Sequence, residues 1–294
     1  MVSRFRPALM GLFVLAAGWL VPSAVVAQTA PPARDPGVRV DGDYGYWLPP
    51  NIAKQEYAGH VDLLINVMHV FMAVLFVAWG AFFIYCLMKF RRRAGHTASP
   101  GDIKAKPSKY AEIGVAIFEA VLLLGISIPA WAEVKREFPG PDRNPLKIRV
   151  LGEQFQWNFH YAGADGIFGK TAPDKVDTAT NPVGLDRSDP HAADDFYTGE
   201  MHIPVDRPVI AEVSSKDVIH SFGVGVLRVK QDAIPGMRVP VWFEAGKTGK
   251  YEISCAQLCG NNHYAMRALM VVHPQAEYEA WAKERAKPPE EFEE

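Results

Sequence analysis

The residues best suited to chemistry lie close together near the carboxyl end of the chain. Residues 254–266 read S-C-A-Q-L-C-G-N-N-H-Y-A-M and contain Cys255, Cys259, His263 and Met266. Copper prefers sulfur and imidazole ligands, whereas hard ions take carboxylates. A single-copper blue site uses one cysteine, two histidines and a weakly bound methionine. The additional thiolate therefore predicts a dinuclear copper site in which each cysteine bridges both ions.

Such a site needs a second imidazole, and His220 is the strongest candidate. It lies in the segment D-V-I-H-S-F at residues 217–222, at the end of a run that favours a strand. From that position its ring can face the cysteine segment. His202 and His273 lie in other strand-like segments and are assigned to packing or to the surface. The remaining histidines lie outside the constellation: His60, His69, His96, His160 and His191.

Two other chemistries compete for the same cysteines. A disulfide is the simplest alternative for two nearby cysteines in an exported segment, but it needs neither His263 nor Met266. Structural zinc favours short paired spacings such as C-x2-C with H-x3-H, and it has no use for a methionine. Cys86 is the third cysteine and lies in an apolar run, so the chain is not a disulfide scaffold.

Four segments together resemble subunit II of haem-copper cytochrome c oxidases. They are C-x3-C-x3-H-x2-M, the upstream D-V-I-H-S-F, Q-F-Q-W at 154–157 and K-Q-D-A-I-P-G at 230–236. The resemblance extends over most of the chain and implies an all-β cupredoxin-like sandwich that follows a helical transmembrane hairpin. It also implies a Cu-A centre of two copper ions with these ligands: His220, Cys255, the backbone carbonyl of Gln257, Cys259, His263 and Met266.

The same resemblance implies a function and a set of partners. Members of this family accept electrons from cytochrome c and pass them to haem in subunit I. Oxygen is reduced to water there, coupled to proton pumping, and subunit III is a further partner. The chain is therefore expected to serve as a subunit of an oxidoreductase without being catalytic alone.

Two residues depart from the family pattern. Family members commonly carry glutamate where this chain has Gln257, and that carboxylate helps to hold a magnesium ion against subunit I. Gln257 keeps the backbone carbonyl but lacks the charge, so a magnesium site is in question. The family's electron-accepting tryptophan corresponds to Phe155, which has no indole N–H to donate. Phe155 and the retained Trp157 are the predicted electron entrance.

The first half of the chain has the pattern of an exported membrane protein. Residues 1–27 combine a basic start, an apolar core and a small-residue cleavage site, as in a signal peptide, although an uncleaved anchor is the alternative. Two apolar runs, 63–88 and 113–132, are long enough to span a bilayer, which takes about 20 residues. The loop 89–110 carries seven lysines and arginines against one aspartate, which predicts that it is cytoplasmic.

This topology predicts five regions in a bacterial inner-membrane protein whose carboxy-terminal domain lies on the periplasmic side. They are a signal peptide at 1–27, an external segment at 28–60, two transmembrane helices within 61–135, a cupredoxin domain at 146–275, and a helix with an acidic tail at 276–294.

Short alternating runs separated by turns predict an antiparallel sandwich or barrel for the external domain. Residues 162–200 fit no strand pattern and carry eight acidic residues against three basic ones. This loop either steers a basic cytochrome c electrostatically or is simply solvated.

Acidic residues also occur in the second apolar run. Glu112 matches the family's glutamate at the entrance of a proton channel in the partner subunit, although it equally fits a membrane boundary. Glu119 lies seven residues later and therefore on the same helix face. It is expected to face subunit I.

Other classes of protein fit the sequence less well. The near-neutral balance of 31 basic and 33 acidic residues excludes a general nucleic-acid binder. Quinol oxidase subunits share the architecture but lack the copper ligands. A copper chaperone does not need a histidine from an assembled strand, and the Cu-A domain of nitrous oxide reductase normally lacks a membrane hairpin.

Overall fold

The computed structural model describes residues 48–95, 97, 101 and 106–286. The predicted signal peptide, most of the predicted external segment and the predicted acidic tail lie outside these residues.

Two long helices form the amino-terminal part of the described chain. Helix α1 spans Glu56–Lys89, and α2 spans Lys106–Leu122. A π-helical turn, Leu123–Ser127, leads from α2 into α3 at Ile128–Arg136. By length and composition both Ala58–Lys89 and Lys106–Glu133 are able to cross a membrane. Phe71 and Phe118 join the two helices, with ring centroids 4.2 Å apart.

A proline explains the π-helical turn. Pro129 has no N–H to donate to the carbonyl one turn earlier, so the regular hydrogen-bond ladder cannot continue through it. Within the turn the Ser127 hydroxyl also donates to the Leu122 carbonyl at 3.2 Å. The helix therefore widens by one residue shortly before it ends.

The second half of the chain forms ten strands in two five-stranded sheets, with the orders β3-β2-β1-β5-β8 and β4-β10-β9-β6-β7. A short helix, α4 at Gln275–Arg285, follows the last strand. The strands are β1 Leu146–Glu153, β2 Gln156–Tyr161, β3 Phe196–Thr198, β4 Met201–Pro204, β5 Pro208–Ser215, β6 His220–Val224, β7 Val229–Ala233, β8 Val239–Glu244, β9 Gly249–Cys255 and β10 Arg267–His273.

The predicted β sandwich after a helical hairpin is confirmed, but the expectation of a purely antiparallel arrangement is wrong. Strands β1 and β5 are parallel, and so are β4 and β10. Alternation of apolar side chains reveals a strand and its buried face but not the direction of its neighbour. Long connections supply these parallel crossovers.

Alternating side chains of both sheets fill the core between them. In β5 every second residue is buried, as expected for a strand with one face inward. The largest fully buried side chains include Trp157, Phe159, Phe222, Phe243, Tyr251 and Ile253. This core supports the sheet end on which the cysteine segment lies.

The long loop after β2 is more ordered than its composition predicts. It contains β3, so the expectation that 162–200 forms no strand is wrong at its end. Many acidic side chains of this loop form hydrogen bonds within it, because their carboxylates accept hydrogen bonds from backbone N–H groups of the loop. The residues that do so are Asp165, Asp177, Asp186, Asp189, Asp194 and Asp195.

An arginine joins the hairpin to the β domain. The Arg228 guanidinium donates to both carboxylate oxygens of Asp62 on α1, at 2.5 and 3.2 Å, and to the Pro49 carbonyl at 2.8 Å. Its side chain is only 6% exposed, so solvent screens this ion pair weakly. The hairpin and the sandwich are therefore connected by a shielded charge pair.

Two histidines lie under helix α4. The ring nitrogens His202 Nδ1 and His273 Nε2 are 2.7 Å apart, and His202 stacks on Trp281 of α4 with ring centroids 4.1 Å apart. Burial, followed by the charges of His273, Arg285 and Lys250, lowers the pKa of His202 to about 4. Glu200 lies 3.5 Å from the other ring nitrogen of His202 without reversing this shift.

We expect acid to loosen α4. A histidine with a lowered folded-state pKa is neutral in the fold, so its stabilising effect is complete above about pH 6.5 and is lost as the pH falls towards 4. Each pH unit in this window favours opening by up to about tenfold. Hydrogen exchange of residues 275–285, corrected for its intrinsic pH dependence, measures this.

His202→Gln should flatten this pH dependence, whereas His191→Gln removes an exposed imidazole and serves as the control. An equally steep profile in His202→Gln would show that another group causes it.

Candidate metal centre

Three neighbouring strands bring the predicted copper ligands to one end of their sheet. Cys255 ends β9 and pairs with Phe222 of β6, the strand that His220 begins. The Cys255 N–H donates to the Met266 carbonyl at 3.1 Å, just before β10 starts. His220 was predicted at the end of a strand and instead opens one. The hairpin between β9 and β10 thus holds the remaining candidates.

Two sulfur atoms lie at the centre of this arrangement. The Sγ atoms of Cys255 and Cys259 are 3.8 Å apart, and neither cysteine is in a disulfide. His220 Nδ1 lies 3.9 Å from Cys255 Sγ, and His263 Nδ1 lies 3.6 Å from Cys259 Sγ. Each thiol therefore has one imidazole beside it.

Two further donors complete the cluster. The Gln257 carbonyl oxygen is 3.1 Å from Cys255 Sγ, and Met266 Sδ is 3.8 Å from Cys259 Sγ. The ligand atoms of His220, Cys255 and Cys259 all lie within 4.8 Å of one another. This set of sulfur, imidazole and carbonyl donors fits copper. All six predicted ligands are thus brought together.

Burial disfavours the charged forms of the cysteine pair. Cys255 and Cys259 are 8% and 5% exposed, and His220 is fully buried. Burial raises the pKa of Cys259 to about 12, and the neighbouring Cys255 contributes to the same shift. A bound metal ion supplies the positive charge that favours the thiolate forms.

Asp217 orients the ring of His220. Its Oδ1 lies 2.8 Å from His220 Nε2. Burial acts to raise the pKa of Asp217, but hydrogen bonds from His220 and from the N–H groups of Gln154 and Val218 outweigh it, so the pKa is lowered. A carboxylate there accepts from Nε2–H and leaves the Nδ1 lone pair facing the thiols.

Packing fixes the same ring from the other side. The edge of Trp157 meets His220 with centroids 6.0 Å apart. Gly152 lies behind both rings, where a Cβ atom would approach His220 and Trp157 to 3.1 Å. Glycine thus leaves room for this close approach of β1 to β6, and a larger residue would have to displace the rings slightly.

Gln154 links the two halves of the site. Its backbone N–H donates to Asp217 Oδ2 at 2.7 Å, and its side-chain amide donates to the Cys259 carbonyl at 2.6 Å. Gly260 has φ +141°, and a Cβ there would lie 2.7 Å from the Gln154 amide nitrogen and 2.9 Å from the Phe155 ring. The motifs contained Gln154 and Asp217, but spacing alone gave no sign of these contacts.

Known proteins are similar to this chain over most of its length. The family model described as "Cytochrome C oxidase subunit II, periplasmic domain" matches residues 146–273. The chain is 31% identical over 229 residues to the alternative cytochrome c oxidase subunit 2 of Bradyrhizobium diazoefficiens, covering 77% of this chain and 80% of that one. The chain belongs to the cytochrome c oxidase subunit II family.

Other relatives are similar over comparable lengths. Cytochrome c oxidase subunit 2 of Synechocystis is 28% identical over 258 residues, which is 82% of this chain and 76% of that protein. A crystal structure of the periplasmic domain of subunit II of cytochrome oxidase from Bradyrhizobium japonicum is 31% identical, with a TM-score of 0.35. It covers 48% of this chain and 92% of that one.

Family membership makes this chain a subunit of a terminal oxidase, an oxidoreductase complex. With its two apolar helices and its match to a periplasmic domain, it has the organisation of a membrane protein with a cupredoxin-like domain in the periplasm.

The two predicted electron-entrance residues differ in their access to solvent. Phe155 is partly buried and lies against Gly260, next to Cys259. Trp157 is 2% exposed and its Nε1 has no hydrogen-bond partner among the described residues. Because Trp157 is buried, it cannot contact an electron-donating protein directly. Its ring packs against His220. Of the two, Phe155 remains available as a surface contact.

Two large side chains beside the cysteines are strongly exposed. Leu258 is 76% exposed and Tyr264 is 75% exposed. Both belong to the β9–β10 hairpin, which carries the cysteines and His263. A partner that approaches the metal centre meets these side chains.

The acidic residues of the second long helix lie away from this centre. Glu112 and Glu119 are both exposed on α2. Glu112 accepts a hydrogen bond from the Ser108 hydroxyl at 3.2 Å. Both side chains are therefore available to a neighbouring subunit.

Gln154→Leu should weaken copper binding by about tenfold, because it leaves the Cys259 carbonyl without its donor and loosens the hairpin. Competition with a copper chelator measures the affinity. Gln275→Leu removes an exposed amide from α4 and should bind copper as the wild type does. Equal affinities in the two variants would contradict a positioning role for Gln154.

Proposed function

We propose that this chain is the electron-accepting subunit of a respiratory cytochrome c oxidase, with a dinuclear copper centre. The observation that carries the proposal is the pair of buried thiols 3.8 Å apart, each with its own imidazole. Both thiols and both imidazoles together would hold two copper ions. The proposed ligands are His220, Cys255, the Gln257 carbonyl, Cys259, His263 and Met266.

The protein supplies a rigid and dry cage for this centre. Bound copper would take up one electron at a time, with its charge spread over two ions. Asp217 and Trp157 hold His220 in place, and Gln154 holds the Cys259 carbonyl. Because these ligands are fixed by strands and by hydrogen bonds, little rearrangement is needed when the charge changes. That property favours fast electron transfer.

Cytochrome c is the proposed donor, and it would dock on Leu258, Tyr264 and Phe155. These side chains lie on or against the β9–β10 hairpin, which carries five of the six proposed ligands. Electrostatic steering by the loop 162–200 is the weaker alternative, since six of its aspartates already accept hydrogen bonds within the loop. Docking through apolar contact explains the exposed leucine and tyrosine.

The accepted electrons would pass to haem in subunit I, where oxygen is reduced and protons are pumped, with subunit III as a further partner. The proposed topology keeps the five predicted regions. It places the hairpin in a bacterial inner membrane, the loop 89–110 in the cytoplasm and the sandwich in the periplasm. In this orientation Glu112 lies towards the cytoplasmic end of α2, as a proton-channel entrance requires.

Magnesium is not part of the proposal. Gln257 offers a neutral amide where a hard divalent cation favours carboxylate oxygen. The backbone carbonyl oxygen of Gln257 lies beside the thiols and remains available to copper.

Copper loading of the solubilised chain tests the dinuclear centre. We expect two copper ions per chain and an electron paramagnetic resonance spectrum of one unpaired electron shared equally by both. Cys259→Ser removes one bridge and should convert this signal to that of a single copper. A four-line, single-copper spectrum from the wild type would refute the dinuclear site.

The donor surface is tested by Leu258→Ser. Loss of this apolar contact should raise the KM for reduced cytochrome c by about tenfold and leave kcat unchanged. The reason is that a leucine side chain that becomes buried when the partner docks contributes on the order of 1.5 kcal/mol to binding. Ile167→Ser alters another exposed apolar residue, on the inserted loop, and should have no effect. A KM that is unchanged in Leu258→Ser but rises steeply with salt in the wild type would instead favour electrostatic steering.

A further inference from the structure

A cavity of about 230 Å³ lies where the hairpin meets the β domain. One side is formed by Val61 and Leu64 of α1, by Ile126 of the π-helical turn, and by Ala130 and Trp131 of α3. Residues of β7 and β8 form the other side. The cavity thus joins the outer ends of both membrane spans to the water-facing domain.

The two sides differ in chemistry. The membrane-spanning part of the helical side is mainly apolar, with His60 and Ser127 as its polar members. The cations are Lys135 near the end of α3 and Arg228 and Lys230 of the sandwich, and no carboxylate lines the cavity. A bilayer has the same gradient at this level, from acyl chains to charged headgroups. Trp131 is 62% exposed at this boundary, where tryptophan is enriched in membrane proteins.

The three cations are not equivalent. Arg228 is neutralised by Asp62. Lys135 lies beyond the apolar span that ends at Glu133, and it donates to the side-chain carbonyl of Gln231 at 2.6 Å, which is a neutral acceptor. Within the part of the chain that the structure describes, neither Lys135 nor Lys230 forms an ion pair with a carboxylate. Burial lowers the pKa of Lys135, as expected for a charge that the protein does not compensate.

The π-helical turn shapes the apolar side. Ile126 and Ser127 belong to this turn and line the cavity, as Ala130 and Trp131 do just after it. Such turns are frequent at functional sites. Pro129 thus widens the helix at the level where the cavity opens.

We propose that this cavity binds one anionic phospholipid from the leaflet on the side of the β domain. Its acyl chain would lie against Val61, Leu64 and Ala130, and its phosphate would accept hydrogen bonds from Lys135 and Lys230. An anion is favoured over a zwitterion because two uncompensated ammonium groups face the same opening. The inference rests on the membrane-spanning hairpin and is independent of copper.

The test uses the whole oxidase, purified and washed with detergent, with retained phospholipids quantified by mass spectrometry. Wild type should keep an anionic phospholipid through the wash. The double variant Lys135→Gln/Lys230→Gln should retain about tenfold less, because two charge-assisted hydrogen bonds are lost. Lys170→Gln neutralises an exposed lysine on the inserted loop and should match wild type.

A second pair of variants leaves the charge unchanged. Ala130→Phe fills the apolar side and should also release the lipid, whereas Ala81→Phe adds the same ring on an exposed face of α1 and should not.

Haem content and the copper spectrum report separately on assembly and on the proposed electron-transfer role. Equal anionic lipid in wild type and both cavity variants would overturn the proposal. So would a side chain of another subunit in the cavity of the assembled oxidase.

Discussion

The burial of two thiols side by side is the constraint on which the rest of the site depends. Cys255 and Cys259 cannot both be charged in a dry environment unless a cation is present, and the raised pKa of Cys259 expresses this cost. Everything around them serves to receive such a cation. His220 is turned by Asp217, Gly260 admits Gln154 and Phe155, and Met266 closes the base. The sandwich is the scaffold that holds these parts at one sheet end.

The sequence singled out a group of residues that the fold brings together, because residues that bind a soft metal are chemically rare. Two cysteines, a histidine and a methionine within one short segment form a combination that neither a disulfide nor a structural zinc site requires. His220 followed from its place in a recognisable segment. The supporting contacts were less predictable, because Gln154, Asp217 and Gly152 act through distances and ring orientations that depend on the folded sheets. Trp157 shows the same limit, since only the fold reveals that it is buried.

The inserted loop shows why composition alone misleads. Its eight acidic residues suggested an attractive surface for a basic partner. Aspartate, however, has a short side chain that reaches backbone N–H groups a few residues away. Six of these carboxylates accept hydrogen bonds from backbone N–H groups of the loop, some two residues away and others 19 to 30 residues away, so the charge has a structural use within the loop. The parallel strand pairs were equally invisible, because burial alternates in the same way in parallel and antiparallel neighbours.

The shielded pair of Arg228 and Asp62 has a mechanical consequence. A domain tethered only by a flexible linker would sample many heights above the membrane, and any redox centre in it would move with respect to a fixed acceptor. Electron tunnelling falls off steeply with separation, so such motion would make the transfer rate erratic. An ion pair whose arginine is largely buried joins the sandwich to the first helix instead, and it restrains the height of the domain above the bilayer.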